Sequence, residues 1–400
     1  MNRRQLLVTM AAVGLAPRIA TAQSPVASPA GASFPRFDGI PVTISPDGTK
    51  VAGTDGRRTR LQILDLATGA TVQSDAVDLP ITLNAIVWAP DSSAVAFSLD
   101  AAIYFRDSDI YLVDAATGTL TDLTDDDPDG TDADEISISA TPASGAVPLD
   151  LYPTWSPDSQ SLLFARTMWS DGPGGTTLTT ISRDGGEPES RFQLQETFPI
   201  SVYSPMWWLE NDAILLAQWM SNPDDRDNGI WRLDPDNTLT QLISGDVNTG
   251  IPGAVIADVT PDGARASAYS QLLLGQYGVN DAEGIWFDVD LTTGTFERWE
   301  PALGLSTRPT DALKEDGPGV LVAPPVFGPG GQSVAFMTRT GNGPIHVSIM
   351  EADGPSNIIA TFEPTQADGA GRSIGYRLDW ADSGDLLILT PENAPQLLQP

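Results

Sequence analysis

The chain has no cysteine and a single histidine, His346. Disulfide frameworks, thiol chemistry, Cys/His zinc sites and any mechanism that needs two histidines are therefore excluded. Basic residues are scarce: 21 Lys and Arg stand against 53 Asp and Glu in 400 residues, a formal charge of −32. A chain so acidic repels phosphate backbones and anionic headgroups, so neither a nucleic-acid partner nor charge-driven membrane binding is expected. Helical periodicity of useful length is also missing. What is present is 41% hydrophobic residues, enough to bury a sizeable core, with 37 Gly and 33 Pro, which suit many short elements joined by turns.

Residues 1–22 read as an export signal of the twin-arginine type. Arg3 and Arg4 precede an apolar run from Leu6 to Ala16, and Ala20-Thr21-Ala22 gives a small-x-small cleavage pattern. The run is shorter than the roughly 20 residues a bilayer span requires, so no membrane insertion is expected once the signal is cleaved. Residues 23–33, rich in Ser, Pro, Ala and Gly, read as a flexible linker, and residues 34–400 as one domain. The expected location is extracytoplasmic, either secreted or in the periplasm and cell envelope.

Beyond residue 40 one unit recurs: a β-type run, a Pro-Asp-Gly-like turn, and a second apolar run. The turns are Ser45-Pro46-Asp47-Gly48, Ala89-Pro90-Asp91-Ser92, Ser156-Pro157-Asp158-Ser159 and Thr260-Pro261-Asp262-Gly263. Degenerate copies are Leu209-Glu210-Asn211-Asp212, Gly328-Pro329-Gly330-Gly331 and Ala381-Asp382-Ser383-Gly384. Proline presets φ at the first turn position while Asp and Gly relax the next ones, so each copy is a tight reversal. A second hairpin closes most units, as at Asp65-Leu66-Ala67-Thr68-Gly69 and Asp114-Ala115-Ala116-Thr117-Gly118. Four strands per unit, repeated seven times at spacings of 44 to 68 residues, predict an all-β chain. The fold expected is a seven-bladed β-propeller of four-stranded antiparallel blades. The last unit stops one strand short, so Phe34 to Phe37 are expected to supply its outer strand and remove an open edge.

The Trp-Ser-Pro-Asp unit followed by a Val-Ala-Phe strand, best seen at Pro153-Thr154-Trp155-Ser156-Pro157-Asp158 and Ile86-Val87-Trp88-Ala89-Pro90-Asp91, resembles the TolB-type, WD40-like (PD40) propeller repeat. The likeness covers roughly residues 40–390. It implies an extracytoplasmic interaction platform, and leaves function open because propellers host binding modules and enzymes alike.

In such a ring the Pro-Asp turns share one face, and the long insertions 122–150, 168–177, 219–229, 270–283 and 300–319 share the other, which makes that face the candidate binding surface. Asp125, Asp127 and Asp129 stand in a partial D-x-D-x-D-G calcium pattern, in which alternate carboxylates converge on a hard cation. Ala133 and Ile136 depart from that pattern, and a solvated acidic loop is the plainer reading. Asp224, Asp225 and Asp227 form a second acidic loop on the same face. Trp169 and Trp219 stand where second strands run into insertions, positioned to stack a sugar or clasp a peptide, or else to be buried beneath the loops. Trp88, Trp155, Trp380, Trp231 and Trp286 sit at repeat positions that predict core.

Gly371-Arg372-Ser373-Ile374-Gly375 matches a hydrolase elbow, but the single histidine precedes Ser373 and a strand signal rather than a helix follows it, so it reads as a connection. His346, in the apolar run Ile345 to Met350, reads as a packed or surface residue rather than a base. The composite reading is a monomeric, non-enzymatic binding or scaffold propeller for a protein, peptide or glycan, with calcium as the one candidate cofactor and no catalytic residue assigned. The alternative is a carbohydrate-active or peptide-cleaving enzyme with a carboxylate site in the central channel. Two carboxylates meeting at the channel, one with a raised pKa, would favour the enzyme.

Overall fold

The computed structural model describes residues 37, 39–99, 108–125, 147–169, 175–194, 205–218, 228–246, 249–270, 286–299, 303, 305, 319–341, 343–351, 354–363, 376–390 and 393–400. They form seven antiparallel sheets arranged as a ring, a seven-bladed β-propeller. Blade 1 holds β1 (Ile40–Ile44), β2 (Lys50–Thr54), β3 (Leu61–Asp65) and β4 (Thr71–Gln73), and blade 2 holds β5 (Val87–Trp88), β6 (Ala94–Ser98), β7 (Ile110–Asp114) and β8 (Leu120–Asp122). Blade 3 holds β9 (Val147–Trp155), β10 (Ser161–Trp169), β11 (Thr176–Ser182) and β12 (Glu189–Gln193), and blade 4 holds β13 (Trp207–Trp208), β14 (Ile214–Gln218), β15 (Gly229–Leu233) and β16 (Leu239–Ser244). Blade 5 holds β17 (Ala254–Val259), β18 (Arg265–Ser270), β19 (Trp286–Asp290) and β20 (Thr295–Arg298).

In blade 6 the first strand is split into β21 (Val320–Leu321) and β22 (Val326–Phe327), both paired with β23 (Ser333–Arg339), which leads to β24 (Ile345–Glu351) and β25 (Ser356–Phe362). Pro324 and Pro325 lie in the gap, where neither has an N–H to give the ladder. Blade 7 comprises β26 (Arg377–Trp380), β27 (Leu386–Thr390) and β28 (Asn393–Leu398). First strands adjoin around the axis: β1 meets β5, β5 meets β9, β9 meets β13, β17 meets β22, β22 meets β26, and β26 returns to β1.

The core is divided among the seams between blades, one apolar cluster to each. Strand alternation does the dividing, because successive side chains leave opposite faces of a sheet. In β10, Leu162 and Phe164 pack with Trp155, Ala94 and Ala96 in the seam between blades 2 and 3. Leu163 and Ala165 point the other way, to Met206, Ile214 and Leu216 of blade 4. In β27, Leu386 and Ile388 face blade 6 while Leu387 and Leu389 meet Ile44 and Val51 of blade 1, which closes the ring. Both faces are buried, so the second strands read as continuous apolar runs rather than alternating ones.

All seven short turns form at the positions that the repeat marks. Each closes with a hydrogen bond from the fourth residue's N–H to the first residue's carbonyl, from Gly48 to Ser45 (2.8 Å) round to Gly384 to Ala381 (2.9 Å). Ser156 shows the chemistry: its Oγ donates to Asp158 Oδ1 (2.6 Å) and accepts from Ser161 N (2.9 Å), while Gln160 N donates to the same carboxylate (3.1 Å). Ser45 with Asp47 and Thr260 with Asp262 repeat that arrangement. The fourth residue has positive φ in every copy, including the non-glycines Ser92 (59°) and Ser159 (62°). Those serines hold the left-handed conformation while accepting a bond from the adjacent turn, Asp47 N to Ser92 Oγ and Asp91 N to Ser159 Oγ, each 3.1 Å. Ser383 N ties the last turn to the first by donating to Pro46 O at 3.0 Å.

Phe37 is the one described residue of the expected closing strand; it is irregular, and residues 34–36 lie outside the described residues. Its ring lies against β2, where a Cβ on Gly53 would come within 2.8 Å of Phe37 Cζ.

Two outcomes follow. Phe164→Ala, which empties a fully buried site between two blades, lowers stability by about 3–5 kcal/mol in a urea unfolding curve. The turn aspartates govern acid stability. The Ser156 hydroxyl, then the Gln160 N–H, hold Asp158 below the usual carboxylate range, and the Thr292 hydroxyl with the Thr292 and Thr293 amides brings Asp290 to about 2. A depressed carboxylate contributes stability above its unfolded pKa and loses it as pH falls through the folded value, so circular dichroism shows unfolding developing between about pH 4 and 2.

Candidate functional site

Because strands alternate in direction, the first-to-second and third-to-fourth links lie on one face and all others on the opposite face. On the first face no link exceeds six residues, the longest being 183–188. Every longer connection leaves from the opposite face: 74–86, 99–109, 123–146, 194–206, 219–228, 245–253, 271–285, 299–319 and 363–376. The segregation expected from the repeat is thus present.

Two expected insertions begin or end differently. Residues 147–150 belong to β9 and residues 168–169 to β10, so these strands reach further toward the long-connection face than the repeat unit suggests. The reason is a paired extension beyond a bulge, in which Ala165 faces Leu151, Arg166 faces Asp150 and Thr167 faces Leu149. Arg166 grips the buried Asp150 carboxylate with two bonds, Nε to Oδ1 at 2.8 Å and Nη2 to Oδ2 at 2.5 Å. At the bulge Tyr152 takes φ 54°, a left-handed conformation that a bulky residue rarely adopts, and its N–H donates to Ser98 Oγ at 3.3 Å. Sequence reading missed this constellation of Asp150, Tyr152 and Arg166; the signal lay in the unusual length of the two apolar-alternating runs around Ser156-Pro157-Asp158.

Of the residues singled out from sequence, Trp169 ends β10 opposite Val147, and Asp125 is exposed just past β8. Asp127, Asp129, Trp219, Asp224, Asp225, Asp227 and Ser373 lie outside the described residues. Among the described residues no group of three or more metal-ligating side chains converges. His346 lies on β24, its Nδ1 3.1 Å from Thr361 Oγ1, with burial pushing its pKa down. Trp88, Trp155 and Trp286 are buried in seams, and Trp231 and Trp380 are partly buried against them. Two of these indoles also tie blades together: Trp88 Nε1 donates to Thr43 O (3.5 Å) and Trp155 Nε1 to Val87 O (3.2 Å).

The first strands carry two carboxylates at equivalent positions, Asp258 in β17 and Asp379 in β26. Asp258 Oδ2 accepts from Phe327 N (2.5 Å) and Oδ1 from Val259 N (2.9 Å). Asp379 Oδ2 accepts from Thr43 Oγ1 (2.6 Å) and Ile44 N (2.8 Å). Burial raises the Asp258 pKa to about 7, and the like charge of Asp379 adds to the rise against the two backbone bonds.

No protein-family profile and no curated relative matches the chain. Solved structures similar to it include an oligogalacturonate lyase from Vibrio parahaemolyticus (12% identity over 92% of this chain and 89% of that one, TM-score 0.52). The β-propeller domain of Cps50 (Swd1) from Myceliophteria thermophila matches at 12% identity over 92% of this chain and 98% of that one, TM-score 0.50. TolB from Acinetobacter baumannii matches at 19% identity over 82% of this chain, TM-score 0.44, and this chain spans 63% of that protein's length. At these identities the likeness is one of fold. Among the described residues no helix is long and apolar enough to cross a membrane.

Arg166→Leu tests how firmly the blade 3 extension is held. It leaves Asp150 buried without its cation and costs about 3–5 kcal/mol in urea unfolding, most of which the double variant with Asp150→Asn restores.

Proposed function

We propose that this protein is an exported, monomeric, non-enzymatic binding platform that holds a protein, peptide or glycan partner on its long-connection face. The observation that carries the reading is the segregation of every connection longer than six residues to one face of the ring, opposite a face of short turns of which those of blades 7, 1, 2 and 3 are bonded in series. A rigid scaffold presenting many long connections together is suited to recognition. The excess of acidic residues favours a basic or cation-bridged partner. In this reading Trp169 and Trp219 provide stacking surfaces, Asp224, Asp225 and Asp227 provide negative charge, and Asp125, Asp127 and Asp129 are the candidate calcium ligands.

The enzymatic alternative draws on one observation, the Asp258 and Asp379 carboxylates near enough to influence each other, with Asp258 shifted to about 7. Swd1 and the lyase carry the same architecture, so fold admits both readings. The binding reading is preferred because Asp258 engages both oxygens with backbone amides, an arrangement that joins blades, and stands two residues from a short turn.

Pull-down from the native cell envelope, with calcium and again with chelator, is the test. One stoichiometric partner is expected, released by raised salt, with capture falling at least tenfold when Trp169 and Trp219 are both changed to Ala, the order of loss expected for two aromatic anchors. Recovery of none in either condition, together with turnover of a glycan or peptide that Asp258→Asn abolishes, would replace this reading with the enzymatic one.

A further inference from the structure

The ring contains one polar joint twice. Asp258 and Asp379 each stand two residues before a short turn, at Thr260 and Ala381, and each accepts the N–H of the residue that precedes the next blade's turn, Phe327 and Ile44. The joints differ in one donor. At the seam of blades 7 and 1, Thr43 Oγ1 also donates to Asp379 at 2.6 Å. At the seam of blades 5 and 6 the equivalent residue is Val326, which is buried and has no hydroxyl to give.

The surroundings of Asp258 do not compensate. Of the strands packed on β17, β18 brings Arg265, which is committed to the Asp288 carboxylate on β19 and lies over the rings of Trp299 and Phe327. β14 and β22 bring no ionisable side chain, and β15 brings Arg232, paired with Asp234 at 3.0 Å. Beyond β22, β26 carries Arg377 and Asp379, of which the Asp379 carboxylate opposes ionisation of Asp258. The cross-strand partner of Asp258 is Ser267, whose buried Oγ has no hydrogen-bond partner.

We propose that the seam between blades 5 and 6 is a pH-responsive joint of the ring, tight when Asp258 is protonated and loosened when it ionises, while the seam between blades 7 and 1 stays closed in both states. An ionised carboxylate at this half-buried position has a like charge nearby and, unlike Asp379, accepts no hydroxyl from the next blade, and opening the seam to water relieves it. The sign follows from linkage: the folded pKa, about 7, lies above the unfolded value of 3.8, so the stabilising contribution is complete below about pH 4 and is lost as pH rises through 7.

Hydrogen–deuterium exchange of the full chain between pH 5.5 and 8.5, corrected for intrinsic exchange rates, tests this. Protection of residues 254–259 and 326–327 should fall by up to about tenfold per pH unit as pH rises from 5.5 toward 7 and level off above it, while residues 40–44 and 377–380 hold theirs. Val326→Thr supplies the missing hydroxyl and should make the loss level off at a lower pH and leave more protection at pH 8, as Thr43 does at the other joint. Asp258→Asn should abolish the pH dependence. Equal pH behaviour at the two seams, or a transition that survives in Asp258→Asn or is unmoved in Val326→Thr, would overturn the proposal.

Discussion

A four-stranded sheet with two apolar faces cannot stand alone in water, and the blades of this protein are such sheets. Phe164 and Leu163 are neighbours in β10 yet serve different seams, each fully buried. A blade therefore needs two neighbours, and the requirement passes from sheet to sheet until Leu387 and Leu389 of blade 7 reach Ile44 and Val51 of blade 1. Closure is the condition on which every blade's burial depends, because an open ring would leave two apolar faces in water.

Polar joints add register to this non-directional packing. The seams use different devices at adjacent positions of the first strand: an indole one residue before the turn donating backward from Trp88 and Trp155, and a carboxylate two residues before it accepting forward at Asp258 and Asp379. The closing seam is bonded through Thr43, Ile44 and Ser383, and the seam of blades 2 and 3 through Trp155, Tyr152, Ser159 and Arg183. The tied short-turn face in turn fixes the scaffold from which the long connections leave, so rigidity and variability are separated onto opposite faces.

Much of this was legible in the residues. The Pro-Asp turns mark local reversals whose conformation depends on four to six consecutive residues, and each of them formed where the repeat put it. Continuous apolar second strands such as Ala94-Val95-Ala96-Phe97 announced burial on both faces. Less legible was the candidate site. The length of the two runs around Ser156-Pro157-Asp158 hints at an extended hairpin, but the Asp150–Arg166 pairing depends on a register set by a bulge. Asp258 and Asp379 lie more than a hundred residues apart, and their relation exists only once blades 5 and 7 flank blade 6 in the ring. Ser92 and Ser159 looked like imperfect glycines until the neighbouring turn's N–H was seen on each hydroxyl.

The sequence by itself determined the repeat unit, its sevenfold recurrence, the two-faced burial and the side to which long connections go, because each follows from short-range chain geometry and strand alternation. Tertiary structure alone decided which polar groups meet across seams, which carboxylate is held near neutrality, and how far the blade 3 hairpin extends. Those depend on distances between residues remote in the chain and on exclusion of water, and neither is written in any local stretch of residues.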